Sequence, residues 1–145
     1  MTLNTNNIAY KILVVDDDRI IRSCLKHLIQ SIKSELNLCF EIIEGNDGKD
    51  IIDYCEDKNN FNCFKVIFTD ENMINIDGSE AIKHVRKLEK NGTISTKFVS
   101  VSSLYDEEFK QRLIDCGANY VLNKPLSKIQ LKNVITEIMS SVKCT

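Results

Sequence analysis

The sequence predicts an α/β domain built on a parallel sheet of five strands with helices on both faces. Three observations carry that prediction. Five short apolar runs alternate along the chain with five stretches whose apolar residues recur at helical spacing. The runs are continuous rather than alternating, "KILVV" above all, which suits strands covered on both sides. At 145 residues, with 43% hydrophobic and 28% charged residues, the chain can bury one core without staples.

The elements follow in order. "KILVV" (11–15) is the first buried strand, and residues 18–33 place Ile21, Cys24, Leu25, Leu28 and Ile32 on one helical face. Asp18 is the expected N-cap of that helix. "LCFEII" (38–43) is the second strand, and a helix over 46–56 opens on a capping Asn46 or Asp47. "FKVIFTD" (64–70) is the third strand, followed by a helix over 77–90 and a polar loop around Asn91 and Gly92. "KFVSVSS" (97–103) is the fourth strand. The next helix, 106–117, carries acids in its first turn and ends on Gly117, placed as a left-handed C-cap. "NYVLNKP" (119–125) holds the fifth strand, and an amphipathic helix over 127–142 begins at Ser127. No repeat or linker interrupts the pattern, so residues 9–143 read as one domain behind a polar arm, 1–8.

Charge and cysteine usage narrow the function. The formal net charge is −2, and Lys and Arg are spread along the chain, so nothing marks an electrostatic footprint for nucleic acid. No apolar run reaches the length of a membrane span. Six cysteines form no C-x-x-C pair and neighbour neither histidine, so thiolate metal spacing is absent. They read as free thiols in a reducing, cytoplasmic compartment. "NGT" at 91–93 is then simply a loop, although it fits a glycosylation acceptor pattern.

The chemistry gathers at the strand ends. In open parallel sheets the functional crevice lies beyond the carboxyl ends of the strands. The first strand ends in Asp16 and Asp17, the third in Asp70, the fourth in Ser102 and the fifth in Lys124. Asp18 belongs to the helix start instead. Three carboxylates in one crevice call for a hard cation, and oxygen-only ligation with open positions suits Mg2+, which commonly bridges to phosphate. A carboxylate left over can attack phosphorus and form an aspartyl phosphate. Lys124 and the Ser102 hydroxyl would stabilise the charge on the transferring group. Pro125, the only proline, makes Lys124–Pro125 a candidate cis bond that would fix the direction of the lysine.

With these residues in place, the chain resembles a response-regulator receiver domain over nearly its whole length. The matching pieces are "ILVVDDD", "VIFTDENMINIDG", "VSVSS" and "GANYVLNKPL", in that order. The resemblance implies a flavodoxin-like, doubly wound sheet of order 2-1-3-4-5 with five flanking helices. It implies Asp70 as phosphoacceptor in a histidine-to-aspartate phosphorelay, served by a phosphohistidine on a histidine kinase or phosphotransfer protein. Asp17 and Asp70 would ligate Mg2+ directly, together with the carbonyl of Asn72, and Asp16 would act through water. Ser102 would turn inward to the phosphoryl group, Lys124 would ion-pair with it, and water would reset the switch. Catalysis would be confined to this self-phosphorylation and autodephosphorylation, with no separate turnover of an external substrate and no contact with nucleic acid or membrane.

Two departures stand out. Ile74 follows Met73 where the family usually has proline, so the loop after the phosphoacceptor would be less rigid. Val121 stands three residues before Lys124, where an aromatic switch is common, and Tyr120 is offset by one residue onto the opposite strand face. These departures and the "EKNGTIST" loop look more like the receiver of a eukaryotic-type hybrid histidine kinase than a bacterial transcription regulator.

Two rivals remain in other classes. "VVDDDRI" nearly fits the signature of haloacid-dehalogenase-type phosphatases, with Asp16 as nucleophile and Asp18 as acid. That family also needs an acidic pair after its lysine, whereas Asp70 and Glu71 precede Lys124. A pseudo-receiver, a binding module that is never phosphorylated, would keep the same residues. His84 and His27 read as solvated helix-face histidines, and Cys116 as a small buried hydrophobe.

Overall fold

Alternate residues of each apolar run bury toward opposite faces of one sheet, and helices cover both. The computed structural model describes residues 10–57, 64–89, 96–103 and 106–140. Its strands are β1 (Lys11–Val15), β2 (Glu41–Gly45), β3 (Phe64–Thr69), β4 (Lys97–Ser102) and β5 (Tyr120–Asn123). All neighbours are parallel and the order is β2-β1-β3-β4-β5, as expected. The helices are α1 (Arg19–Glu35), α2 (Gly48–Glu56), α3 (Gly78–Glu89), α4 (Glu107–Cys116) and α5 (Lys128–Met139).

Along β1, Ile12 and Val14 pack with Leu25, Ile29 and Ile32 of α1 and with Leu131 and Ile135 of α5. Leu13 and Val15 point the other way, toward Ile51 of α2, Ile82 and Val85 of α3 and Leu113 of α4. The two-residue strand period thus sorts one apolar run into two cores. Each fully buried Leu or Ile contributes about 1.5–3 kcal/mol of transfer free energy, so these faces hold the fold while its strand ends carry charge.

Local signals explain most boundaries. Asp18 caps α1, its Oδ1 accepting from the amides of Ile20 (2.9 Å) and Ile21 (3.2 Å). Ser127 caps α5 through the Gln130 amide (3.1 Å). Gly117 ends α4 at φ 119°, in the left-handed region where a Cβ is unfavourable.

One boundary differs. The second strand was expected over 38–43 but runs Glu41–Gly45, because α1 continues two residues past the expected end and closes on a Schellman turn. Asn37 takes φ 51°, the Leu38 amide reaches the Lys33 carbonyl (3.0 Å), and the Asn37 amide reaches that of Ser34 (3.4 Å). Asn at this position gives a weaker sequence signal than Gly would.

A second expectation is corrected at Cys39, which is disulfide-bonded, while Cys24, Cys55 and Cys116 are free. Absence of C-x-x-C spacing says little about bridging, which depends on Cα separation in the fold. Cys116 is only partly buried. No helix among the described residues is long and apolar enough to cross a membrane. The expected arm (1–8), the loop around Asn91 and Gly92, and the end of the last helix past residue 140 lie outside the described residues.

Candidate functional site: an acidic cluster at the strand ends

Strand register decides which acids meet. Val15 of β1 lies beside Thr69 of β3, so Asp16 and Asp70 leave the sheet side by side. The Asp70 amide donates to the Val15 carbonyl (3.1 Å), and the Asp16 amide to that of Gly45 (3.3 Å). Carboxylate oxygens of Asp16, Asp17 and Asp70 all lie within 4.8 Å of one another. Asp16 is buried, Asp70 is partly buried and Asp17 is exposed, so the cluster opens to solvent on one side.

Lys124, just past β5, reaches across the sheet end to this group. Its Nζ lies 3.0 Å from Asp16 Oδ2 and 3.3 Å from Asp70 Oδ1. Burial acts to lower the lysine pKa, but the two carboxylates outweigh it and hold the ammonium above its ordinary value. Asp70 is shifted upward: burial is the largest cause and the Asp16 charge adds to it, while Lys124 pulls the other way. One ammonium does not balance three acids this close. An oxygen-only donor set with residual negative charge fits a hard divalent cation.

Asp16 and Asp70 differ in what they have left to offer. Asp16 Oδ1 accepts from the Asp18 amide (2.9 Å) and its Oδ2 from Lys124, so both oxygens are occupied. Asp70 receives the Glu71 amide (2.9 Å) and Lys124 on the same oxygen, Oδ1. Among the described residues its Oδ2 accepts no hydrogen bond. Of these two carboxylates, Asp70 is therefore the less engaged.

Ser102 is buried at the end of β4, and its carbonyl accepts from the Lys124 amide at 2.9 Å. The structure therefore joins Ser102 to the lysine through the backbone. Ser103, exposed, lines the open groove beside the acids. Lys124–Pro125 is cis, as expected. Asn72 is exposed in the loop between β3 and α3. The groove, about 540 Å³, is bounded by Ile20, Ile21, Leu28, Pro125 and Leu126 and is also lined by Asp16, Asp70 and Lys124. Ile20 is 75% exposed there.

Two nearby carboxylates escaped the sequence reading as parts of the site. Glu71, next to Asp70, is buried; its Oε1 accepts from the Ser79 amide at 2.7 Å, and its Oε2 lies 3.7 Å from Arg112 of α4. Asp47 was legible only as one of two candidate helix caps, beside Asn46. It also accepts from the amides of Asn75 (2.9 Å) and Ile76 (3.3 Å) in the loop after Asp70. That loop turns into α3 at Asp77 and Gly78. A Cβ on Gly78 would fall 2.3 Å from the Asp70 carbonyl oxygen, so only glycine fits.

The strand offset at the fifth strand also holds. Val121 is buried in the core beneath α3 and α4, whereas Tyr120 packs on the α1 and α5 side, where Glu137 faces its hydroxyl. His84 pairs with Glu56 on the surface (2.7 Å).

Comparison with known proteins agrees with this geometry. The sequence model of the family described as "response regulator receiver domain" matches residues 12–136. The peroxide stress-activated histidine kinase mak2 of Schizosaccharomyces pombe is 30% identical over 129 residues, which is 88% of this chain and 5% of that protein. Among solved structures, the co-crystal structure of the Saccharomyces cerevisiae phosphotransfer protein Ypd1 with the receiver domain of Ssk1 superimposes with a TM-score of 0.77 at 20% identity, covering 92% of each chain. A CheX-CheY complex with BeF3 and magnesium from Borrelia burgdorferi gives 0.70 at 23% identity, covering 93% of this chain and 90% of that one. The two structural likenesses show the fold; the family match, spanning most of the chain and all four acids and bases of the strand ends, shows that this chain belongs to the response regulator receiver domain family.

Proposed function

We propose that Asp70 is the phosphoacceptor of a histidine-to-aspartate phosphorelay, charged from a phosphohistidine on a histidine kinase or phosphotransfer protein. The observation that carries this assignment is the asymmetry between the acids. Lys124 ties both Asp16 and Asp70, and of these two only Asp70 keeps an oxygen that accepts no hydrogen bond from the described residues. That oxygen attacks phosphorus, the N–P bond of the donor breaks, and the imidazole nitrogen keeps the electron pair and takes up a proton. Lys124 then faces the oxygens of the new acyl phosphate, and Ser102 lies at the end of the neighbouring strand. Water attack on the acyl phosphate returns Asp70 and inorganic phosphate.

Asp16, Asp17, Asp70 and the Asn72 carbonyl would hold Mg2+, whose charge offsets the crowded oxygens as the phosphoryl group transfers. Residues 9–143 form the receiver, with 1–8 an arm. The chain spans only a small fraction of the length of its curated relatives, and a place as the receiver of a hybrid histidine kinase is part of the proposal. Its compartment would be the cytoplasm, an assignment that rests on the phosphodonor chemistry, since the free-thiol premise fails at Cys39.

A donor histidine must reach Asp70, so the donor protein has to seat against the groove beside it. Its apolar rim suits a protein surface better than free solvent. Ile20→Glu should therefore remove transfer from a phosphohistidine protein while leaving uptake from acetyl phosphate intact; equal loss from both donors would deny the groove a docking role.

The assignment of Asp70 is tested by intact mass after incubation with acetyl phosphate. Wild type should gain one phosphate with Mg2+ and none with EDTA, and Asp70→Asn should gain none. Label retained in Asp70→Asn but lost in Asp16→Asn would instead favour the phosphatase reading. No label from acetyl phosphate or a phosphohistidine protein, in a chain that binds Mg2+, would leave a pseudo-receiver.

A further inference from the structure

Asp47 lies outside the acidic cluster, at the start of α2, and is buried. Its carboxylate accepts three backbone amides. The Lys49 amide (2.9 Å) is an ordinary helix cap. The amides of Asn75 on Oδ1 (2.9 Å) and Ile76 on Oδ2 (3.3 Å) come from the loop after the phosphoacceptor, 28 and 29 residues further along the chain. These donors hold the Asp47 carboxyl below its ordinary 3.8, against burial, which acts to raise it. Asp50 Oδ2 accepts from the amides of Asn46 (2.9 Å) and Asp47 (3.2 Å), which completes the capping box and orients the residue from behind. The neighbouring Gly48 amide donates to the Ile76 carbonyl (3.1 Å).

The loop needs such a restraint. Ile74 imposes no fixed φ, as a proline would, and its side chain is 82% exposed. Residues 71–76 must nevertheless keep one path, because they continue directly from Asp70 and carry the Asn72 carbonyl.

We propose that Asp47 is a positioning residue for the phosphoacceptor loop: by holding the amides of Asn75 and Ile76 it fixes where Asp70 and the Asn72 carbonyl present oxygen to a divalent cation. This rests on the reading of Asp16, Asp17 and Asp70 as a Mg2+ site. Asp47 is not one of the clustered carboxylates. It acts through the loop, as partners of metal ligands do when they set ligand direction.

Asp47→Ser separates the two roles. Serine is a good N-cap and keeps the bond within α2, but it is too short to reach the loop. The experiment is amide hydrogen exchange and Mg2+ titration by NMR on the 15N-labelled chain, comparing wild type, Asp47→Ser and Asp47→Asn. Asp47→Ser should retain the wild-type melting behaviour within a few degrees, speed exchange at Asn75 and Ile76, and weaken Mg2+ affinity about tenfold. Asp47→Asn, which keeps one acceptor oxygen, should lie between the two, and it carries the test if the serine variant fails to fold. Mg2+ affinity in Asp47→Ser within twofold of wild type would overturn the proposal, as would unchanged exchange at Asn75 and Ile76. Wild-type amides of Asp17 and Glu71 that ignore millimolar Mg2+ would overturn the metal-site reading and the proposal with it. That failure is read in wild type, apart from the measurement that isolates Asp47.

Discussion

The first and third strands end side by side in one site, yet the chain beyond them is held in opposite ways. After β1 the restraints are mostly local: the Asp18 amide binds Asp16, Asp18 caps the amides of Ile20 and Ile21, and Arg22 Nη1 reaches the Asp16 carbonyl at 2.7 Å. These partners lie within six residues of Asp16, and two longer ties join them, from the Asp16 amide to the Gly45 carbonyl (3.3 Å) and from Arg22 to Glu44 (3.2 Å). After β3 the loop takes its decisive bonds from Asp47 and Gly48, on a different strand connection, and an ion pair from Arg112 of α4. A site can thus combine one half that is built largely by its own segment with another half that leans more on distant segments. Lys124 touches both Asp16 and Asp70.

The largest expected effect comes from cutting that shared tie. Lys124→Ala leaves Asp16 and Asp70 facing each other with no cation, in a region where Asp16 is 6% and Asp70 13% exposed at the side chain. Breaking a buried pair by removing one partner costs about 3–5 kcal/mol, and partial solvent access here brings it to about 2–3. Urea denaturation without metal should show that loss, and saturating Mg2+ should recover much of it. A loss that Mg2+ does not touch would mean the lysine stem, not its charge, holds the two ends together.

Gly48→Ala attacks one half alone. A Cβ there would stand 2.3 Å from the Ile76 carbonyl oxygen, a backbone atom that can retreat only by moving the loop. Overpacking of this kind costs about 1–3 kcal/mol. It should slow phosphorylation of Asp70 as well, while the amides of residues 16–22 keep their shifts. Shifts that spread equally to both strand ends would show the two halves to be one unit.

This contrast also explains what could be read from the sequence. The strands, the order of elements, the acids at the strand ends, the Asp18 cap and the Gly117 stop are all signals within a few residues. The receiver resemblance supplied strand order and pairing of roles. The second strand slipped because its start depends on Asn37 adopting a left-handed turn, which asparagine permits but does not demand. Asp47 was visible as a cap and invisible as a clamp, since no local pattern points 28 residues ahead. Glu71 entered the sequence reading only as half of an acidic pair with Asp70, and its burial arises only once the chain has folded around it. The bridged Cys39 failed for the same reason: sequence spacing does not give distance in the fold.

Strong acid should loosen the hold of Asp47 on the distant half. The Asp47 carboxyl titrates lower in the folded chain than its ordinary 3.8, so the unfolded chain binds the proton more readily. By linkage, its contribution is fully present above that ordinary value and is lost as pH falls through the depressed folded one. Hydrogen exchange at Asn75 and Ile76, corrected for the intrinsic pH dependence, should lose protection on acidification, and Asp47→Ser should abolish that step. A step that survives in the serine variant would assign the acid sensitivity to another carboxyl.

The smallest effect separates the two remote anchors of the loop. Arg112 is 65% exposed at the side chain and sits 3.7 Å from Glu71, at the outer edge of an ion pair, with its guanidinium also over the Phe109 ring. Pairs this open contribute about 0–1 kcal/mol, and Glu71 keeps the Ser79 amide at 2.7 Å when the arginine is gone. Arg112→Gln should therefore cost less than about 1 kcal/mol in urea denaturation and leave Mg2+ affinity unchanged. A small cost is itself informative, because it places the hold on the loop at α2 and leaves α4 free to shift without dragging Asp70. A loss of about 2 kcal/mol or more, beyond what an exposed pair supplies, would mean that α4 grips the loop as firmly as Asp47 does. The phosphoacceptor would then be coupled to α4 through Glu71, despite the small side chain at Val121.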